Sequence, residues 1–108
     1  MGYGFNATGN SVVAVGSTAS GTAVQVSTVG AADTVRLQNM STDRAFIRLS
    51  STGAAVTAPT SAASANGIPL EAGAMDYFKG GPNSYLTALT TVATATVRIA
   101  ATPGTGGI

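Results

Sequence analysis

The stretch Thr34-Val-Arg-Leu-Gln-Asn-Met-Ser-Thr-Asp-Arg-Ala-Phe-Ile-Arg-Leu-Ser50 decides the fold class. In its first half Val35 and Leu37 alternate with Arg36 and Gln38. In its second half Ala45, Ile47 and Leu49 alternate with Phe46 and Arg48. A period of two belongs to the β-strand, whose successive side chains leave opposite faces. Both halves therefore predict strands with one buried and one accessible face. Between them Ser41-Thr42-Asp43 predicts a tight hairpin, because Asp hydrogen-bonds its own backbone in turns. A third strand follows the same pattern later in the chain, with Ala95, Val97 and Ile99 opposite Thr96 and Arg98. The consistent faces of these three strands name an expected core of Leu37, Ile47, Leu49, Val97 and Ile99.

Outward from that stretch, short β-branched runs punctuated by Gly, Pro, Asn and Asp continue in both directions. They predict strands at 12–15, 22–28, 34–40, 44–50, 54–57, 74–78, 85–90 and 94–101. No window sustains the i, i+3, i+4 spacing of a helix. The Ala-rich stretch 59–66 carries Ser and Thr and reads as a loop. About eight short antiparallel strands at regular spacing predict an all-β, jelly-roll-like sandwich over residues 10–101. Residues 1–9 read as a flexible Gly-rich arm, and residues 102–108 as a flexible tail.

The chain has 108 residues, enough for one modest core. Aromatics make up only 6% and Trp is absent, so each buried side chain removes little area from water. Cys and His are both absent, which removes disulfides and the commonest metal ligands. Of the usual supplements to a thin core, oligomerisation is left. Charged residues are 8%, against about a quarter in ordinary domains, and the net charge of +1 gathers no nucleic acid. No apolar run approaches the length of a membrane span, and the start, MGYGFNATG, lacks the blocks of a secretory signal. No nucleic acid and no membrane are expected as partners.

Catalysis finds little to work with. Without His or Cys there is no imidazole base and no Cys/His or Ser/His/Asp nucleophile. Among the four carboxylates, Asp33, Asp43, Glu71 and Asp76, only Glu71 with Asp76 is a pair that glycoside chemistry could use. They flank a predicted turn and no aromatic sugar platform accompanies them, so both read as solvated turn or edge residues, and the protein as no enzyme. No Asp-rich calcium loop, Walker sequence or dinucleotide fingerprint is present, and no cofactor is expected. Asn6-Ala7-Thr8 and Asn39-Met40-Ser41 match the glycosylation sequon by chance.

The outward arginines remain. If the strands that carry Arg36 and Arg48 pair, these side chains are near neighbours, with Arg98 joining them. Arg forms bidentate pairs with carboxylates, so such a face fits an acidic surface of another subunit. Phe46 lies between them in this register. The alternatives are three solvated arginines, and a Phe46 buried on the second face of its strand. Tyr3 and Phe5, the only large apolar groups before the first strand, complete the contact candidates.

From Thr34 onward the chain resembles the small tailed-bacteriophage capsid decoration, or cement, proteins and related head-fibre modules. The resemblance rests on Thr34-Val-Arg-Leu-Gln-Asn39 and Arg44-Ala-Phe-Ile-Arg48, then Ile68-Pro-Leu-Glu-Ala-Gly73. It continues with Thr94-Ala-Thr-Val-Arg98, which runs into Thr102-Pro-Gly104, and covers about two-thirds of the chain. It implies a jelly-roll-like homotrimer on the outer surface of the virion capsid, bridging major capsid protein subunits. It brings no catalytic residues. The other reading is a fibre or receptor-binding module that recognises a host-surface glycan.

Overall fold

A computed structural model describes residues 4–27, 32–57 and 66–106. Among them nine strands run β1 (Asn6–Ala7), β2 (Val12–Gly16), β3 (Val24–Gln25), β4 (Thr34–Asn39), β5 (Ala45–Ser50), β6 (Ile68–Leu70), β7 (Met75–Lys79), β8 (Tyr85–Leu89) and β9 (Val97–Thr105). No described residue is helical. The strands form two antiparallel sheets. Sheet A has the order β7-β4-β9, with both β1 and β2 on the far side of β9. Sheet B has the order β3-β8-β5-β6. The pairs β2–β9, β3–β8, β4–β7 and β5–β6 are nested one inside the next.

The core lies between the sheets. Val35, Leu37, Ala45, Ile47, Leu86, Val97 and Ile99 are all at most 1% exposed and belong to one cluster. Four of the five expected core residues are therefore fully buried. Leu49, the fifth, packs against that cluster but is only half-buried. The alternation assigned the inner faces correctly: Ile47 enters the main core while Phe46, its neighbour, joins a separate buried group with Val56 and Leu89.

The largest departure is at 40–44. The expected hairpin is instead a corner at which the chain leaves sheet A and enters sheet B. Asn39, wholly buried at the end of β4, builds this corner. Its Nδ2 donates to Asp43 O and Leu70 O, both at 2.9 Å, and its Oδ1 accepts from Ser41 N at 2.9 Å. The backbone-bonding side chain is thus Asn39 rather than Asp43, and the sequon at Asn39 is sealed inside.

Strand limits also shift. Residues 54–57 form no strand, and Ile68–Leu70 does, with Pro69 on a sheet edge where its missing N–H matters least. The last strand starts at Val97 rather than residue 94, because Thr94 takes φ 62°, a left-handed conformation that breaks a strand. It then runs on to Thr105, through residues expected in the tail, and Thr102, Pro103 and Gly104 are buried. Pro103 fits here because its flanking strand is interrupted. Thr8 to Ser11 bridge β1 and β2 opposite Thr102 and Pro103, where Pro offers no donor. Thr8 N still donates to Pro103 O at 3.0 Å. The arm, too, pairs: Asn6 lies opposite Thr105 and Ala7 opposite Gly104.

Candidate surface for a protein partner

The registers fix what each sheet shows to solvent. On the outer face of sheet A, Met75, Gln38, Ala100 and Val13 form one row across β7, β4, β9 and β2. Tyr77, Arg36 and Thr102 form the next row, and Lys79, Thr34 and Gly104 the one after. On the other side of the first row, Val15 lies opposite Arg98. Three of the five cations, Arg36, Lys79 and Arg98, therefore stand on this face, and no outward strand position carries a carboxylate. Asp33, just before β4, stands at the rim and accepts from Thr34 Oγ1 at 2.9 Å. Val13, Val15 and Met75 are 42%, 44% and 49% exposed, so aliphatic side chains lie open on the two flanking strands, with Arg36 and Arg98 on the strands between them.

One part of the face is already covered. Phe5, just before β1, packs its ring 5.4 Å from that of Tyr77, and the Arg36 guanidinium stands 5.5 Å from its centroid. The cation and the ring attract each other through the ring quadrupole. Gly104 makes the seat: a Cβ there would lie 2.5 Å from Phe5 Cζ and 2.4 Å from Asn6 O, so only glycine admits the arm. Phe5, a contact candidate on the expected flexible arm, is half-buried on its own sheet. Tyr3 lies outside the described residues.

Sheet B differs. The segment 51–57 folds back over its outer face. Thr87 Oγ1 donates to Ala54 O at 3.0 Å, Arg48 Nη1 donates to Ala55 O at 3.3 Å, and Val56 covers Phe46 and Leu89. Phe46 is 6% exposed. The expected contact pair Phe46 and Arg48 thus hold the protein's own loop. They also lie across the sandwich from Arg36 and Arg98, since β4 and β5 belong to different sheets. Arg36 and Arg98 share a face, but Arg98 is four residues along β9 from Thr102, the partner of Arg36, or roughly 13 Å.

The sheet edges are blunted. β3 has two residues, β6 has three including Pro69, and β1 and β2 are broken from each other. β7, five residues long, is an unbroken free edge. Gly80 N donates to Asp33 O and Asn39 N to Ala74 O, so by alternation Met75, Tyr77 and Lys79 turn their backbone groups outward. Asp76 guards the middle of that edge, its Oδ1 accepting from Tyr77 N at 2.8 Å. Glu71 instead pairs with Arg44 at 2.6 Å, with both side chains more than half exposed. The two acids considered as a pair thus have separate structural roles. Among the described residues no group of three metal-ligating side chains comes together, and no helix is long and apolar enough to cross a membrane.

A broad cleft of about 470 Å³, lined by residues such as Ser17, Ser20, Thr22 and Thr96, carries no charged side chain. It offers no general acid, base or nucleophile pair. Sequence reasoning put Arg36, Arg98 and Phe5 among the contact candidates and passed over the exposed aliphatics Val13, Val15 and Met75. Their signal was present in the same alternation, as apolar residues at outward positions. Comparison with family models, with curated proteins and with solved structures finds nothing that matches this chain.

Proposed function

We propose that this chain is a non-catalytic assembly module that seats on a larger protein shell through the outer face of sheet A. The observation that carries this reading is the asymmetry of the two faces. The chain covers sheet B with its own 51–57 segment and leaves sheet A, apart from the seat of Phe5, open, with cations and aliphatic side chains exposed. Blunted edges favour docking by a face rather than by strand addition. Charge complementarity selects the partner: a surface with carboxylates at the positions of Arg36, Lys79 and Arg98 and apolar contacts at its two sides for the aliphatics of β2 and β7.

Size adds a constraint. Four strands about 4.8 Å apart and some five residues long give a footprint of roughly 300 Å². A stable interface takes about 800 Å² from each partner. One face is too small to hold alone, so several copies must bind together, with the gain of multivalency. That need supports a homotrimer. The nested strand pairs support reading the sandwich as a jelly roll. With the resemblance to capsid decoration proteins, the reading becomes a structural virion protein on the outer surface of a phage head. There it bridges major capsid subunits and stabilises the shell by mass action.

The test is to titrate stripped heads with the full-length chain and count bound copies by mass spectrometry. Saturation at a fixed number of copies per shell is expected. Binding to host cells with none to heads would transfer the case to the fibre reading.

A further inference from the structure

We infer that Asn66–Gly67 is a latent self-modification site, an amide that converts to a cyclic imide and then to isoaspartate, held closed by a clamp at Thr57. Asn followed by Gly is the pair in which a backbone nitrogen reaches the side-chain carbonyl carbon with least hindrance, because glycine has no Cβ. In the reaction Gly67 N gives up its proton to a solvent base and attacks Asn66 Cγ. The new C–N bond forms as the Cγ–Nδ2 bond breaks, and Nδ2 leaves as ammonia with a proton from water. Water then adds to either imide carbonyl and opens the ring to aspartate or isoaspartate. The net change is one water consumed and one ammonia released, with no oxidant or reductant.

In the folded chain every atom of this step is engaged. Gly67 N, the nucleophile, donates to Thr57 O at 3.1 Å. The target carboxamide is fixed by Thr57 N, which donates to Asn66 Oδ1 at 2.8 Å. Asn66 N donates to Thr57 Oγ1 at 3.1 Å, and Nδ2 reaches Ala55 O at 3.5 Å. Asn66 itself is exposed, so water and base are at hand once the clamp opens.

Packing also explains why the reactive pair is there. A Cβ at position 67 would lie 2.8 Å from Thr57 O, 2.9 Å from Val56 Cγ2 and 3.0 Å from Phe46 Cβ. Any residue bulky enough to slow the chemistry is thus excluded by the cover over sheet B. Isoaspartate adds one carbon to the main chain beside Gly67. Because Gly67 abuts Val56 and Phe46, the modification loosens that cover and bares Phe46 and Leu89.

The experiment incubates the full-length protein in mildly alkaline buffer, folded and in guanidinium chloride, and follows Asn66 by peptide mass spectrometry with enzymatic isoaspartate labelling. Asn10 and Asn83, each followed by Ser, are internal references. In denaturant Asn66 should convert faster than both. In the folded protein it should convert at least about tenfold more slowly, which corresponds to some 1.4 kcal/mol of clamp opening. Thr57→Pro removes the donor to Oδ1, and Thr57→Val removes the acceptor for Asn66 N; at least one should raise the folded-state rate. Equal rates in folded and denatured protein, or no effect of either variant, would overturn the clamp. An Asn66 that stays intact in denaturant would overturn the site.

Discussion

Replacing Asn39 by Ala should cost about 2–6 kcal/mol, although it removes only one polar side chain from a small protein. The side chain is wholly buried and makes three hydrogen bonds of 2.9 Å. The bond to Leu70 O is itself buried, so its carbonyl loses a partner that water cannot replace, at about 1–3 kcal/mol. Asp43 O and Ser41 N are partly buried and regain some water, so each loses about 0.5–1.5 kcal/mol. The total is a large fraction of the roughly 5–15 kcal/mol that stabilises a domain. Asn39→Asp should be worse, because a carboxylate keeps the acceptor but turns charge toward two carbonyls. Urea unfolding measures both: with a slope of about 1–3 kcal/mol per M, the Ala variant's midpoint should fall by roughly 1–3 M with the slope unchanged. An Asn39→Ala midpoint within about 0.3 M of wild type would refute the corner's role. So would an Asp variant as stable as the parent.

Three further outcomes follow from the same geometry. Leu37→Ala should cost about 2–5 kcal/mol by denaturant titration, and Leu49→Ala distinctly less, because Leu49 is only half-buried. Asp76→Val frees the Tyr77 N–H on the open β7 edge, so sedimentation velocity should show concentration-dependent species beyond those of wild type, with the circular dichroism retained. Phe5→Ala removes roughly 100 Å² of ring packing, worth about 2–3 kcal/mol, but ordering the arm costs about 1–2 kcal/mol per residue. Global stability should therefore change by less than about 1 kcal/mol, while limited proteolysis at residues 4–10 accelerates.

The alternation in β4, β5 and β9 made the inner faces legible, because a period of two depends only on neighbouring residues. Sheet membership was not legible from the same pattern. A strand pair that turns back within a sheet and one that crosses to the opposite sheet share one alternation, and only the buried Asn39 distinguishes them. Thr102-Pro103-Gly104-Thr105 read as tail because its composition is that of a loop. It pairs because β9 is central, and because the break between β1 and β2 falls where Pro103 has no donor. Arg36 and Arg98 were placed on an accessible face by their own strands. The same alternation placed Phe46 and Arg48 on an accessible face, but the 51–57 segment covers that face, and its return over sheet B leaves no periodic trace.

The direct test of a docking face on sheet A compares acidic substitutions on the two sides of the sandwich. Arg98→Glu and Val13→Glu alter the outer face of sheet A, and Arg48→Glu makes the same kind of change on sheet B. Folded proteins of each type are titrated onto stripped heads at fixed ionic strength and bound copies are counted. The sheet A variants should lose occupancy at least about tenfold, or some 1.4 kcal/mol, while Arg48→Glu binds like wild type. Equal occupancy by all three, or loss confined to Arg48→Glu, would contradict the account.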